Sequence, residues 1–142
     1  MKSNILYLII LISFSSCSGF ILKEKIVDNY YLIATDIEEQ LDLSYYEPTD
    51  KNGCVSVIEA TVFAVGFTDN YIVAKQHPYI FPNAVNNKIT NYFILPINKK
   101  GEHFKGNLSL IGPLTLKQFN EKEKELGITF DLKFTIEKSN LK

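Results

Sequence analysis

The chain has 142 residues, 46% of them hydrophobic and 22% charged, which gives room for one packed domain and a composition far from that of disordered chains. Its formal charge of −1 comes from 15 lysines, without any arginine, against 16 acids. There is neither a basic excess for phosphates nor a guanidinium fork for bases, so nucleic acid is excluded as an expected partner.

The first segment has an export layout. Lys2 precedes the apolar run Ile5–Ile12, and the small residues Ser13, Ser15 and Ser16 lead to Cys17. That run is about half of the roughly 20 apolar residues that a spanning helix needs. Phe14-Ser15-Ser16-Cys17 resembles a bacterial lipobox, with Phe14 where leucine is usual. The resemblance implies cleavage before Cys17 and acylation of that residue, with palmitate-type chains. Residues 1–16 are then the signal peptide, 17–24 the lipidated cysteine and its tether, 25–137 one β-rich domain and 138–142 a frayed tail. Losing Lys2, the one charged residue of the signal, takes the chain from −1 to −2. Each buried CH₂ of an acyl chain contributes about 0.8 kcal/mol, so several chains hold the domain firmly at a bilayer.

A first strand is expected over Asn29–Ala34, bounded by Asp28 and Asp36. Leu41, Leu43 and Tyr45 alternate with Asp42 and Ser44, the pattern of a half-buried strand. The turn formers from Glu47 to Gly53 reverse the chain before a strand at Cys54–Glu59. The segment Thr61–Pro78 then reads as the hairpin around which the domain is organised, with its turn at Thr68-Asp69-Asn70 and a bulge expected at Gly66-Phe67. If Phe67 pairs with Tyr71, then Phe63, Val65, Phe67, Tyr71, Val73 and Lys75 share one face. Both faces are largely apolar, which predicts central strands covered on each side.

His77-Pro78 ends the hairpin, and a long loop with the apolar tip Tyr79-Ile80-Phe81 follows. Tyr92–Ile97 reads as a strand whose Pro96 marks an edge or an end, Asn98–Glu102 as a turn, and Leu108–Leu110 as a further short strand. Thr115 with Gln118 forms a capping box for a helix over Leu116–Leu126 that stops at Gly127. Leu116, Phe119 and Leu126 are expected on its buried face, with Lys117 and Glu121 paired in solvent. Asp131–Glu137 alternates as a last strand. The fold class is therefore α+β: a predominantly antiparallel sheet with one C-terminal amphipathic helix docked on it.

Several strings together resemble an uncharacterised family of small bacterial lipoproteins known as a domain of unknown function. They are N-Y-Y-L-I-A-T-D from Asn29, V-F-A-V-G from Val62, Y-I-V-A-K-Q-H-P from Tyr71, I-T-N-Y-F-I-L-P-I from Ile89 and G-P-L-T from Gly112. The resemblance implies an envelope lipoprotein and brings no catalytic residues with it.

The candidate chemistry is sparse. Cys54 and His77 could form a thiolate–base dyad, but a cysteine that opens an apolar strand is more simply a small hydrophobe. A metal held by His77 and His103 lacks ligand spacing, and both histidines are more simply exposed loop residues. Asp69 with Asp36 or Glu59 as paired acids is explained as well by turn and cap positions. No Gly-rich phosphate loop is present, so no cofactor, metal or catalytic residue is assigned. The loop of His77, Tyr79 and Phe81 is the candidate contact with an envelope protein partner, although three adjacent large apolar side chains more naturally fold back onto the sheet. The expectation is a non-catalytic binding or accessory lipoprotein, lipid-anchored on the periplasmic or cell-surface side. The alternatives are an envelope hydrolase using His77 and an inhibitor or immunity-type protein inserting the same loop.

Overall fold

A computed structural model describes residues 19–47, 53–80, 84–98, 104, 106–128 and 134–142. The signal segment, Cys17, Phe81, His103 and the start of the expected last strand lie outside the described residues. The described chain is mostly antiparallel β-sheet with a single α-helix packed against it, as its alternating apolar segments predict.

The first sheet has four strands in chain order: β1 (Leu22–Val27), β2 (Tyr30–Ala34), β3 (Asp42–Tyr46) and β4 (Cys54–Ile58). Its β1 corrects the expectation of a tether reaching Glu24, since Leu22, Lys23 and Glu24 pair with Ala34, Ile33 and Leu32. The second sheet is built from β5 (Val62–Phe67), β6 (Tyr71–Gln76), β9 (Asn91–Pro96), β10 (Ile111–Leu114) and β11 (Phe134–Glu137), in the order β10-β9-β6-β5-β11. Pro96 closes β9, which is an interior strand, so of the two expected positions it takes the strand end. A two-stranded hairpin of β7 (Tyr79–Ile80) and β8 (Ala84–Val85) completes the set.

The two larger sheets share one core. Leu41, Leu43, Tyr45 and Ile58 from the first meet Val65, Ile72, Ala74 and Leu95 from the second, all buried. Burying each leucine, isoleucine or valine among them contributes about 1.5–3 kcal/mol, which holds the sheets together. The backbone N–H of Val62 also donates to the Leu41 carbonyl at 2.8 Å, tying β5 to the entrance of β3.

The β5–β6 hairpin is central, as its two apolar faces predict, but its register differs. Thr68 closes the turn on Tyr71: its N–H donates to the Tyr71 carbonyl at 2.8 Å, and its Oγ1 accepts from the N–H groups of Asn70 and Tyr71. The first strand pair is therefore Phe67 with Ile72, one residue on from the expected Phe67 with Tyr71. A one-residue slip exchanges faces. Val65 and Ile72 thus point into the shared core, and Val73 points to the other side. The bulge falls between Val62 and Ala64, where the strand leaves the crossover, and not at Gly66-Phe67.

The opposite face of the second sheet is covered by α1 (Leu116–Leu126). Thr115 Oγ1 accepts from the Gln118 N–H while Gln118 Oε1 accepts from the Thr115 N–H, so the predicted capping box is complete. Gly127, at φ 70°, ends the helix in the left-handed conformation, where a Cβ is unfavourable. Phe119 packs with Val73, Ile94 and Ile128, and stacks at a tilt on Tyr92 with ring centroids 5.0 Å apart. Leu116, expected on this face, is 54% exposed, and Glu123 takes the buried position one turn after Phe119. The ion pair on the solvent side is Lys122 with Glu125, at 2.7 Å.

Two further expectations are corrected. Leu108 lies in a 3₁₀ turn, Gly106–Ser109, and is exposed; the strand is the following Ile111–Leu114. Gly112 in that strand has φ 145°, and a Cβ there would come 2.5 Å from the Phe93 ring, so only glycine lets β10 approach β9 so closely. The tail is docked, not frayed: Ser139–Leu141 forms a 3₁₀ turn, Leu141 is buried, and Lys138 Nζ lies 2.7 Å from Glu24 Oε2.

Candidate functional site

The loop after β6 leaves the sheet from a buried polar platform. The ladder continues past Gln76, with the His77 N–H donating to the Thr61 carbonyl at 2.9 Å and the Thr61 N–H to the His77 carbonyl at 3.3 Å. Gln76 Nε2 donates to the carbonyls of Glu59 and Ala60 at 2.8 and 3.2 Å, and its Oε1 accepts from Asn91 Nδ2 at 3.1 Å. Thr61 Oγ1 donates to the Glu39 carbonyl at 2.7 Å. These buried side chains fasten the crossover between the sheets to the strands on either side of the loop.

His77 is 3% exposed, which corrects its placement as an exposed loop residue. Its ring stacks on Phe63, with centroids 4.3 Å apart and planes 15° from parallel. Its Nδ1 lies 2.8 Å from the Ile89 carbonyl oxygen, which can only accept, so Nδ1 is the donor of this bond. Nε2 is buried and without a hydrogen-bond partner among the described residues. His77 thus cannot touch a partner directly, and its contribution to the loop is positional.

Tyr79 is the opposite case. It pairs with Val85 in the β7–β8 hairpin, yet its side chain is 58% exposed and does not fold back onto the sheet. The hairpin base is fixed by the Asn86 N–H donating to the Pro78 carbonyl at 2.9 Å and by the His77–Ile89 bond. Phe81, the third residue of the expected contact loop, belongs to the connection outside the described residues. The structure therefore brings Tyr79 to the surface on a pinned hairpin and keeps His77 underneath it.

The hydrolase candidates are not brought together. His77 sits where the C-terminal end of β4 meets β6, as the Gln76 bond to Glu59 marks. Cys54 opens β4, four strand positions further away, on the order of 13 Å along the strand. Asp69 is in the turn at the far end of the hairpin, on the order of 20 Å from His77 by the length of β6. Glu59 is exposed, and neither nitrogen of His77 bonds to it. Among the described residues no three His, Cys, Asp or Glu side chains converge on a metal-sized site.

Elsewhere, a shallow groove of about 270 Å³ runs between the Thr68–Tyr71 turn and Leu126–Ile128 at the end of α1, with Asp69 its one charged lining residue. Two carboxyls are held above their usual range. Burial raises Asp42, against hydrogen bonds from Ser44 and Ser56 that lower it, and burial alone raises Glu123. Burial also raises the Tyr30 hydroxyl, partly offset by the hydrogen bond that it accepts from the Asn98 N–H. None of the three lines that groove. Gln76, Thr61 and Asn91 have no signal of their own in the sequence beyond a polar residue at one end of an apolar strand, because the groups that they bond are brought to them by the fold.

No helix among the described residues is long and apolar enough to cross a membrane. Comparison with curated proteins and with solved structures yields no match. A family described as a protein of unknown function, DUF3997, matches residues 27–140. That span runs from the end of β1 through the docked tail, and the chain belongs to this family.

Proposed function

We propose that the protein is a lipid-anchored, non-catalytic binding module of the bacterial cell envelope, tethered through Cys17, that contacts an envelope protein partner through the β7–β8 hairpin. The observation that carries this reading is the pairing of an exposed Tyr79 with a hairpin base fixed by buried His77. A large aromatic ring held in solvent on a rigid support is the arrangement that binding surfaces use, since little conformational entropy is lost on contact. The export layout of residues 1–17 supports the address. An inhibitor or immunity-type role would use the same hairpin, with an enzyme as the partner.

A photo-crosslinking residue in place of Tyr79 tests the proposal in the native envelope, with one in place of Leu116 on α1 as the control. A single adduct of defined mass at position 79, missing at 116 and lost when Phe81→Ser is added, is the expected result. Equal, diffuse labelling from both positions would refute a dedicated contact at the hairpin.

A further inference from the structure

The outer face of the first sheet carries a cluster that the binding hairpin does not use. Lys23 Nζ lies 4.0 Å from the ring centroid of Tyr46, 5.1 Å from that of Tyr31 and 5.5 Å from that of Phe20. Tyr31 and Tyr46 meet edge to face with centroids 5.1 Å apart. The strand register puts Lys23 beside Ile33 and Asp42, and Lys25 beside Tyr31 and Ser44. Lys23 and Lys25 are both exposed, as are Phe20 at 43% and Ile21 at 55%. Asp42 is the one acid that the register places among these residues, and its carboxylate accepts from the Ser44 hydroxyl at 2.8 Å.

We infer that this face lies on an anionic bilayer surface, with Lys23 and Lys25 against lipid phosphates and Phe20, Ile21, Tyr31 and Tyr46 at the headgroup level. Two observations choose a lipid surface over a protein. The Phe20 ring lies beside Lys23, so the first described residues of the chain sit at this face. Only two residues, Ser18 and Gly19, separate Phe20 from Cys17, at most about 10 Å of extended chain. A domain tethered so closely has this face nearest the bilayer. The residue types also match: amphipathic aromatic rings and lysines with apolar stems are what membrane interfaces collect. The inference rests on the anchoring proposed above, and it adds an orientation: the helix α1, on the far side of the second sheet, points away from the membrane.

The chain has no tryptophan, so single-site reporters are available. The acylated full-length protein, with Tyr46→Trp or Tyr31→Trp on the face and Leu116→Trp on α1, is reconstituted in phosphatidylcholine vesicles with phosphatidylglycerol and lipids brominated near the carbonyl. Vesicle flotation reports the anchor, and quenching reports the orientation. Docking predicts strong quenching of both face reporters and little at Leu116→Trp. Lys23→Glu with Lys25→Glu brings the face reporters down to the control while flotation persists. Loss of one basic side chain near an anionic surface, about 1 kcal/mol, weakens docking roughly fivefold. Flotation with equal quenching at all three sites would overturn the docked face and leave the anchor standing. A chain that fails to float would overturn the anchor and the docked face with it.

Discussion

The imidazole of His77 and the carbonyl of Ile89, twelve positions apart in the chain, are joined by a hydrogen bond of 2.8 Å that closes the intervening loop at its base. Removing the ring leaves that carbonyl without its partner and strips the stack from Phe63. His77→Ala is expected to lower stability by about 3 kcal/mol, combining a lost buried hydrogen bond with a lost aromatic contact. His77→Phe keeps the stack and should lose about half as much. Denaturant titration of the two variants checks the order; an unchanged midpoint for His77→Ala would mean that the ring supports nothing.

Tyr79 lies on the same hairpin but contributes to its surface. With the side chain 58% exposed, Tyr79→Ser is expected to change stability by no more than about 0.5 kcal/mol while reducing partner capture. Thermal unfolding beside the crosslinking experiment separates the two effects.

The helix is held by one aromatic side chain. Phe119→Ala should cost about 3–5 kcal/mol by opening a cavity against Val73 and Ile94, while Thr115→Ala, which removes only the cap, should cost about 1 kcal/mol. Far-UV circular dichroism during urea unfolding follows both.

Glu123 gives a pH signature of defined sign. Burial holds its carboxyl above the ordinary 4.5, so the folded state binds its proton more tightly than the unfolded chain does. Stability therefore falls as pH rises from about the ordinary value through the raised one, and the loss is complete above it. Glu123→Gln should flatten this part of the pH–stability curve and raise stability at neutral pH. Asp42, raised in the same direction, leaves a residual slope in that variant. Urea midpoints across the acid range measure both.

Segments whose partners lie close in sequence were legible from residues alone. The alternation of Leu41, Leu43 and Tyr45 gave their shared buried face, and Thr115, Gln118 and Gly127 gave both ends of the helix. What escaped depends on distant pairing. Leu22–Val27 carries three charged residues in a row and becomes a strand because β2 is there to pair with it. Ile111–Leu114 contains a Gly-Pro step and becomes a strand because Gly112 can press against Phe93. The hairpin register turned on the Thr68 hydroxyl, a single hydrogen-bonding group that strand periodicity does not encode. At the site, His77-Pro78 signals the end of a strand, whereas the burial of His77 follows from Phe63 and Ile89, which the fold brings to it.

The most direct test of the account is the intact mass of the N-terminal peptide of the protein purified from its own membranes. An account built on a lipid-anchored module predicts a peptide that begins at Cys17 and carries the added mass of two or three acyl chains. A peptide that begins at Met1, or an unmodified Cys17, would contradict it.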